Sequence, residues 1–199
     1  MGIILKEESS YEPLPAGMFD AVCTDIIDLG IQHTSGQYGE RDVLQCMIAW
    51  ELPELTYTDS EGKEQRRIIR KTYTQSLNSK SSIRKDLESW RGKPFTEEEL
   101  EGFDLDNILG CGCQIQIMQE KGSNGKIYGN IKNIVPLKRD RWEQPSHQLS
   151  FVLSENTLDQ IEFLPEFVQE IIKSSVTYQQ LTADDDKPFA DDYPKGFDK

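Results

Sequence analysis

Between Lys63 and Lys93 the sequence places ten Lys/Arg against three Asp/Glu, a local +7 in a chain whose formal total is −13. Cations gathered in one place on an acidic protein call for an anionic partner at that place. Arg66, Arg67, Arg70 and Lys71 crowd together, with Tyr73 two residues further on. Such a pattern suits a nucleic-acid strand: cations follow the phosphates and a ring stacks on a base, at about 1–3 kcal/mol per stacked base. Two further groups have the same chemistry. Tyr38 and Arg41 close a glycine-rich stretch, and Lys121, Lys126 and Tyr128 surround the turn sequence KGSNG. Each has a plainer reading. Arg66 and Arg67 are solvated beside a turn, as charge runs usually are, and Tyr73 and Tyr128 pack instead of stacking. Strand alternation separates Ile69, Lys71 and Tyr73 from Ile68, Arg70 and Thr72, and the expectation is that Lys71 and Tyr73 meet the ligand.

Other chemistry finds little support. The sequence has no G-x-S-x-G, P-loop or H-E-x-x-H. Glu97, Glu98 and Glu99 form a carboxylate cluster that the first turn of a helix explains through its dipole and a capping box. Asp20, Asp25 and Asp28 would suit a metal-dependent nuclease, but no recognisable pattern flanks them. Cys111-Gly-Cys113 invites a zinc reading, yet Cys23 and Cys46 are isolated in apolar strand patterns and the two histidines are far apart. Structural zinc sites present C-x2-4-C pairs. Buried thiols are expected, with no metal or other cofactor.

The elements that must hold these residues follow from periodicity. Gly17–Asp28 alternates as a first strand, and Gly30–Glu40 reads as a flexible loop. In Arg41–Leu52, Leu44, Cys46, Ile48, Trp50 and Leu52 face one way, which makes Trp50 core; Pro53 ends this second strand. After the turn Asp59–Lys63 comes the cationic third strand. Ser79 caps a helix with Ile83, Leu87 and Trp90 on one face and Gly92 past its end. Thr96 and Glu99 form a T-x-x-E capping box. Gln114–Met118 and Lys126–Leu137 are the fourth and fifth strands. Three strands, a helix and two strands match the OB-fold, a mainly β five-stranded Greek-key barrel with a helix between strands 3 and 4. An antiparallel α+β sheet with the helix on one face is the competitor. That barrel uses its second and third strands and the loops joining strands one–two and four–five.

Composition completes the plan. No apolar run approaches the ~20 residues a membrane helix needs, and MGIILKEESS fits neither a secretory signal nor the myristoylation pattern. The expected location is the cytoplasm. From Trp142 to Lys199 four Lys/Arg face twelve Asp/Glu, a local −8. Leu158, Ile161, Phe167, Val168, Ile171 and Ile172 have helical spacing, with Pro165 opening a second helix. The expected divisions are an extended lead-in over 1–13, an OB-like domain over 14–140, a helical appendage over 141–181 and a disordered acidic tail over 182–199.

Asp184-Asp185-Asp186-Lys187-Pro188-Phe189 resembles the acidic tip of bacterial single-stranded DNA-binding proteins. In that family the Phe enters an apolar pocket of replication and repair enzymes while basic residues meet the Asp run. Lys187 stands at a normally apolar place, and ten residues follow Phe189. A wider pattern runs through Leu14-Pro15-Ala16-Gly17, Ala49-Trp50-Glu51-Leu52-Pro53, Ser82–Gly92 and Lys126-Ile127-Tyr128, with Trp90-Arg91-Gly92-Lys93-Pro94-Phe95-Thr96 its most specific part. It resembles a group of small bacteriophage proteins regarded as phage single-stranded DNA-binding proteins, over about residues 14–138. The resemblance implies a non-enzymatic protein that coats single-stranded DNA during phage replication or recombination in a bacterial host. The acidic tail would recruit partner proteins, and a homo-oligomer is compatible with it. The alternative is an OB-fold protein–protein adaptor or inhibitor whose cationic stretch meets an acidic partner.

Overall fold

Cys46, Ile48, Trp50 and Leu52 alternate with Met47, Ala49 and Glu51, and both rows are buried. A strand buried on both faces needs a layer on each side. In the computed structural model, which describes residues 12–36 and 39–183, both layers are present. Strand β1 (Gly17–Gly36) pairs antiparallel with β2 (Gly39–Thr58), and β2 pairs with β3 (Glu64–Thr74). The first half of β1 also pairs antiparallel with β4 (Gly112–Lys121), which pairs with β5 (Ile127–Pro136). The order is β3-β2-β1-β4-β5, and a short β6 (Leu149–Phe151) runs parallel to β1 at Asp25–Ile27. The fold is mainly β. No helix among the described residues is long and apolar enough to cross a membrane.

The inner layer is closed by α1 (Ser82–Arg91), which buries Ile83, Leu87 and Trp90. Ser81, rather than Ser79, is its N-cap and accepts from Arg84 N; Gly92 ends it at φ 66°, a left-handed conformation glycine adopts without a Cβ penalty. Trp90 meets Trp50 with ring centroids 5.9 Å apart. Helix α2 (Glu97–Glu101) starts with the full Thr96/Glu99 capping box.

The outer layer is built from β6, a 3-10 stretch at Glu155–Phe163, α3 (Glu166–Lys173) and α4 (Val176–Ala183). Phe151, Leu153, Ile161, Leu164, Val168 and Ile172 pack on Ile27, Leu29 and Met47 of the sheet. Thr177 Oγ1 accepts from Ile31 N at 2.9 Å, and Gln32 Nε2 donates to Ile171 O at 3.1 Å. The approach is close at Gly30, φ 71°, where an added Cβ would stand 3.0 Å from Leu153, Ser175 and Thr177. The C-terminal helices therefore pack on the sheet.

Two expectations about the strands are corrected. Gly30–Glu40 is not a flexible loop: the β1–β2 ladder continues to Gly36↔Gly39. Nor does Pro53 end β2. A bulge between Leu52 and Thr56 lets the strand carry on to Thr58 against Glu64, because a bulged residue needs no ladder donor. A second bulge, between Cys23 and Asp25, turns Ile26 to the inner layer and Asp25 to the outer.

Candidate functional site

The register of β3 on β2 decides where its cations go. Trp50 pairs with Ile69, Ile48 with Lys71 and Cys46 with Tyr73. Residues directly opposite share a sheet face, so the row expected to meet ligand lies opposite the core row of β2. This corrects the reading of Lys71 and Tyr73. Tyr73 is 2% exposed and sits in the inner core. Its hydroxyl donates to Asp86 Oδ2 at 2.8 Å, and Lys71 Nζ meets the same oxygen at 2.6 Å. Burial, and then the Asp86 carboxylate, push the Tyr73 phenol well above its ordinary range.

Arg70 lies on the other face, its guanidinium 5.4 Å from the Phe167 ring of α3. Burial lowers its pKa, and its Nε has no hydrogen-bond partner among the described residues. Nearby, Asp25 and Glu51 are buried beneath residues 143–147. Ser146 N donates to Glu51 Oε2 at 3.0 Å, Ser146 Oγ also bonds Glu51, and His147 Nε2 stands 2.7 Å from Asp25 Oδ1. These contacts pin the stretch between β5 and β6 onto the outer face of the sheet.

Arg66 and Arg67 are placed differently. Arg66 donates to Glu143 Oε2 at 3.1 Å and Gln144 O at 2.9 Å, with Glu51 at 3.5 Å. Arg67 donates to Glu12 O at 2.7 Å and Glu12 Oε2 at 2.9 Å. Glu12 and Glu143 come from outside the sheet, and their side chains are 80% and 54% exposed. Exposed pairs of this kind contribute about 0–1 kcal/mol, so Glu12 and Glu143 hold these guanidinium groups only weakly. Beside them stands Tyr57, 47% exposed, with the Arg67 guanidinium 6.0 Å from its ring centre. Tyr57 is the functional candidate that sequence reasoning missed, because Pro53 ends the expected second strand. Its signal was the Thr-Tyr-Thr run beyond that proline, which has the strand composition of β-branched and aromatic residues.

The other expected residues scatter. Arg41 is exposed on the β1–β2 ribbon, where His33 and Asp42 pair at 2.9 Å and that hydrogen bond raises the His33 pKa. Lys121 and Lys126 are exposed at the β4–β5 hairpin. Tyr128 lies across that turn: Asn124 Nδ2 donates to its hydroxyl at 2.6 Å, and its ring comes so near Gly122 that an added Cβ would stand 2.7 Å away. Arg41 lies toward the Gly36 end of β1, while the hairpin lies past the Gly17 end, so the structure does not bring these two groups together along β1. Tyr38 and the tail residues Asp184, Asp185, Asp186, Pro188 and Phe189 lie outside the described residues.

Asp20, Asp25 and Asp28 are engaged separately, by Arg141, His147 and Gln75. Among the described residues no three His, Cys, Asp or Glu are grouped to hold a metal ion. All four cysteines are free thiols; burial pushes Cys46 up to about 12 and also raises Cys23 and Cys113 well above the ordinary thiol range. No known protein-family pattern matches the chain, and no curated protein is significantly similar to it.

Proposed function

We propose that this is a non-catalytic single-stranded DNA-binding protein with an OB-like barrel, coating DNA with little sequence preference in phage replication or recombination. The acidic tail would recruit partner proteins. The strand order, with β1 pairing to both β2 and β4 and α1 inserted between β3 and β4, is compatible with that barrel. One observation carries the reading: Arg66 and Arg67 at the end of the sheet's end strand, one toward each face, each hold an exposed carboxylate from outside the sheet, in a place a strand's phosphates would take as it crosses that edge. Tyr57 supplies a half-exposed ring beside them.

Fluorescence anisotropy with labelled oligo-dT, beside a duplex control, tests it. Single-strand preference is expected, with affinity falling as salt rises at a log–log slope of roughly −0.7 per phosphate neutralised. Arg66→Ala with Arg67→Ala should weaken binding and flatten that slope by about 1–2. Glu12→Gln with Glu143→Gln should tighten binding about two- to fivefold, since each exposed pair competes by less than ~1 kcal/mol. No binding at low salt overturns the proposal.

The second reading, a protein–protein adaptor, is favoured by Phe163 and Val152, 88% and 64% exposed on the outer layer. Phe163→Ser would then abolish partner capture while leaving the anisotropy unchanged.

A further inference from the structure

We propose that the end of the barrel away from the β4–β5 hairpin holds a binding site for a small aromatic carboxylate. A cavity of about 330 Å³ opens there, between the last turn of α1, the start of β4 and the end of β5. That volume falls in the range of small-molecule sites, which combine apolar walls with a few placed polar groups. Its walls are the rings of Trp90, Phe103 and Trp142; Arg91, Asn107 and Cys111 are its polar lining, and no lining residue carries a carboxylate.

Most of these polar groups already have partners. Trp90 Nε1 donates to Gly112 O and Trp142 Nε1 to Leu137 O, each at 3.0 Å. Asn107 Nδ2 donates to Asp104 O at 3.0 Å, and Cys111 Sγ to Asn107 O at 3.5 Å. Arg91 differs. Its Nη2 bonds Glu99, and its guanidinium lies 4.4 Å from the Phe95 ring centre and 5.2 Å from that of Phe103. Its Nη1 is buried with no hydrogen-bond partner among the described residues. A buried charged donor left unmet is costly; Arg91 lines the cavity, and a small turn of its guanidinium toward an anion there would give Nη1 its partner. Arg139, 5.3 Å from the Trp142 ring centre, adds a second cation at that wall. Trp142 itself is tightly seated, since a Cβ on Gly112 would stand 2.5 Å from its ring. Flat aromatic walls select a flat ligand, and the guanidinium selects a carboxylate on it.

Isothermal titration of the full chain with indole-3-acetate and with its neutral counterpart 3-methylindole tests the site. Saturable binding is expected, with the acid about tenfold tighter, the size of one charge-assisted hydrogen bond. Cys111→Phe, which fills the cavity, should abolish both heats while the thermal melt stays cooperative. Arg91→Met should remove the preference for the acid. Should that variant fail to fold, the comparison of the two ligands on the unaltered chain decides alone. No saturable heat with either ligand, equal affinity for both, or binding that survives Cys111→Phe overturns the proposal. None of these outcomes depends on oligo-dT, so DNA binding stands or falls separately.

Discussion

The two faces of β1 and β2 are both buried, yet they are built in different ways. The inner face is covered by residues near in sequence: α1 follows β3 directly, and Trp50, Leu87 and Trp90 share one core. The outer face waits for a segment more than a hundred residues further on, where Val168 and Ile172 meet Ile27 and Met47. Arginine and lysine follow the same division. On the inner side Lys71 meets Asp86 from the helix that closes the layer, whereas Arg70 on the outer side finds the Phe167 ring. At the end of β3 the pairing changes again: Arg66 and Arg67 meet Glu143 and Glu12, carboxylates from outside the sheet whose side chains are mostly exposed.

The comparison breaks most directly in the cores. Trp50→Ala should cost about 3–5 kcal/mol and Ile172→Ala about 2–5 kcal/mol, read from denaturant midpoints. Their patterns should differ. Among the described residues eighteen buried ones form the inner cluster and nine the outer, so the outer layer is the weaker unit. Hydrogen exchange on Ile172→Ala should show lost protection in α3 and α4 with β4 and β5 unchanged. Equal loss throughout would mean that the two layers open as one.

This division also explains what the sequence could and could not disclose. Trp50, Trp90, the Thr96 box and Gly92 were legible because alternation, helical spacing and caps are local signals. The outer row Met47, Ala49 and Glu51 was visible as a row, but nothing local said that residues 149–183 would cover it. The same gap misplaced Lys71 and Tyr73: alternation paired them correctly, while choosing the face required the β2–β3 register. Bulges hid the rest. The one at Leu52/Thr56 carried β2 past Pro53 to Tyr57, and the one at Cys23/Asp25 moved Asp25 under His147. A bulge is a local insertion whose sequence signature is weaker than the two-residue period it interrupts.

A smaller effect sharpens the inner side. Asp86→Asn removes the charge that Lys71 and Tyr73 share, and should cost about 1–3 kcal/mol by leaving a half-buried ammonium unmatched. Tyr73 reports it. Its folded pKa is raised, so its contribution is fully present below about pH 10 and is lost as pH rises above that. Tyrosinate absorbance should show Tyr73 titrating only as the protein unfolds. In Asp86→Asn its titration should move toward neutral pH, while burial, the larger cause, still holds it above the exposed tyrosines. Unchanged titration would mean that Asp86 is not its electrostatic partner.

The smallest expected effect lies where α1 hands over to α2. Glu88 accepts from Arg84 Nε at 2.9 Å and from Phe95 N at 3.2 Å, and these bonds, the Arg84 one first, hold its carboxyl below the usual range. A carboxylate with a depressed folded pKa stabilises the fold above its unfolded value of about 4.3, and that contribution disappears as pH falls through the folded value. Glu88→Gln has no carboxylate to protonate and so lacks this pH-dependent contribution. Its melting temperature should lie slightly below that of the parent at neutral pH, and the two curves should converge as pH drops below about 4. The contact fixes Phe95, which lies in the inner core beside Phe103. Hydrogen exchange at low pH should therefore loosen the inner layer at the α1–α2 junction while α3 and α4 stay as they were. If α3 and α4 loosen first instead, the Glu88 contact is not what acid breaks first.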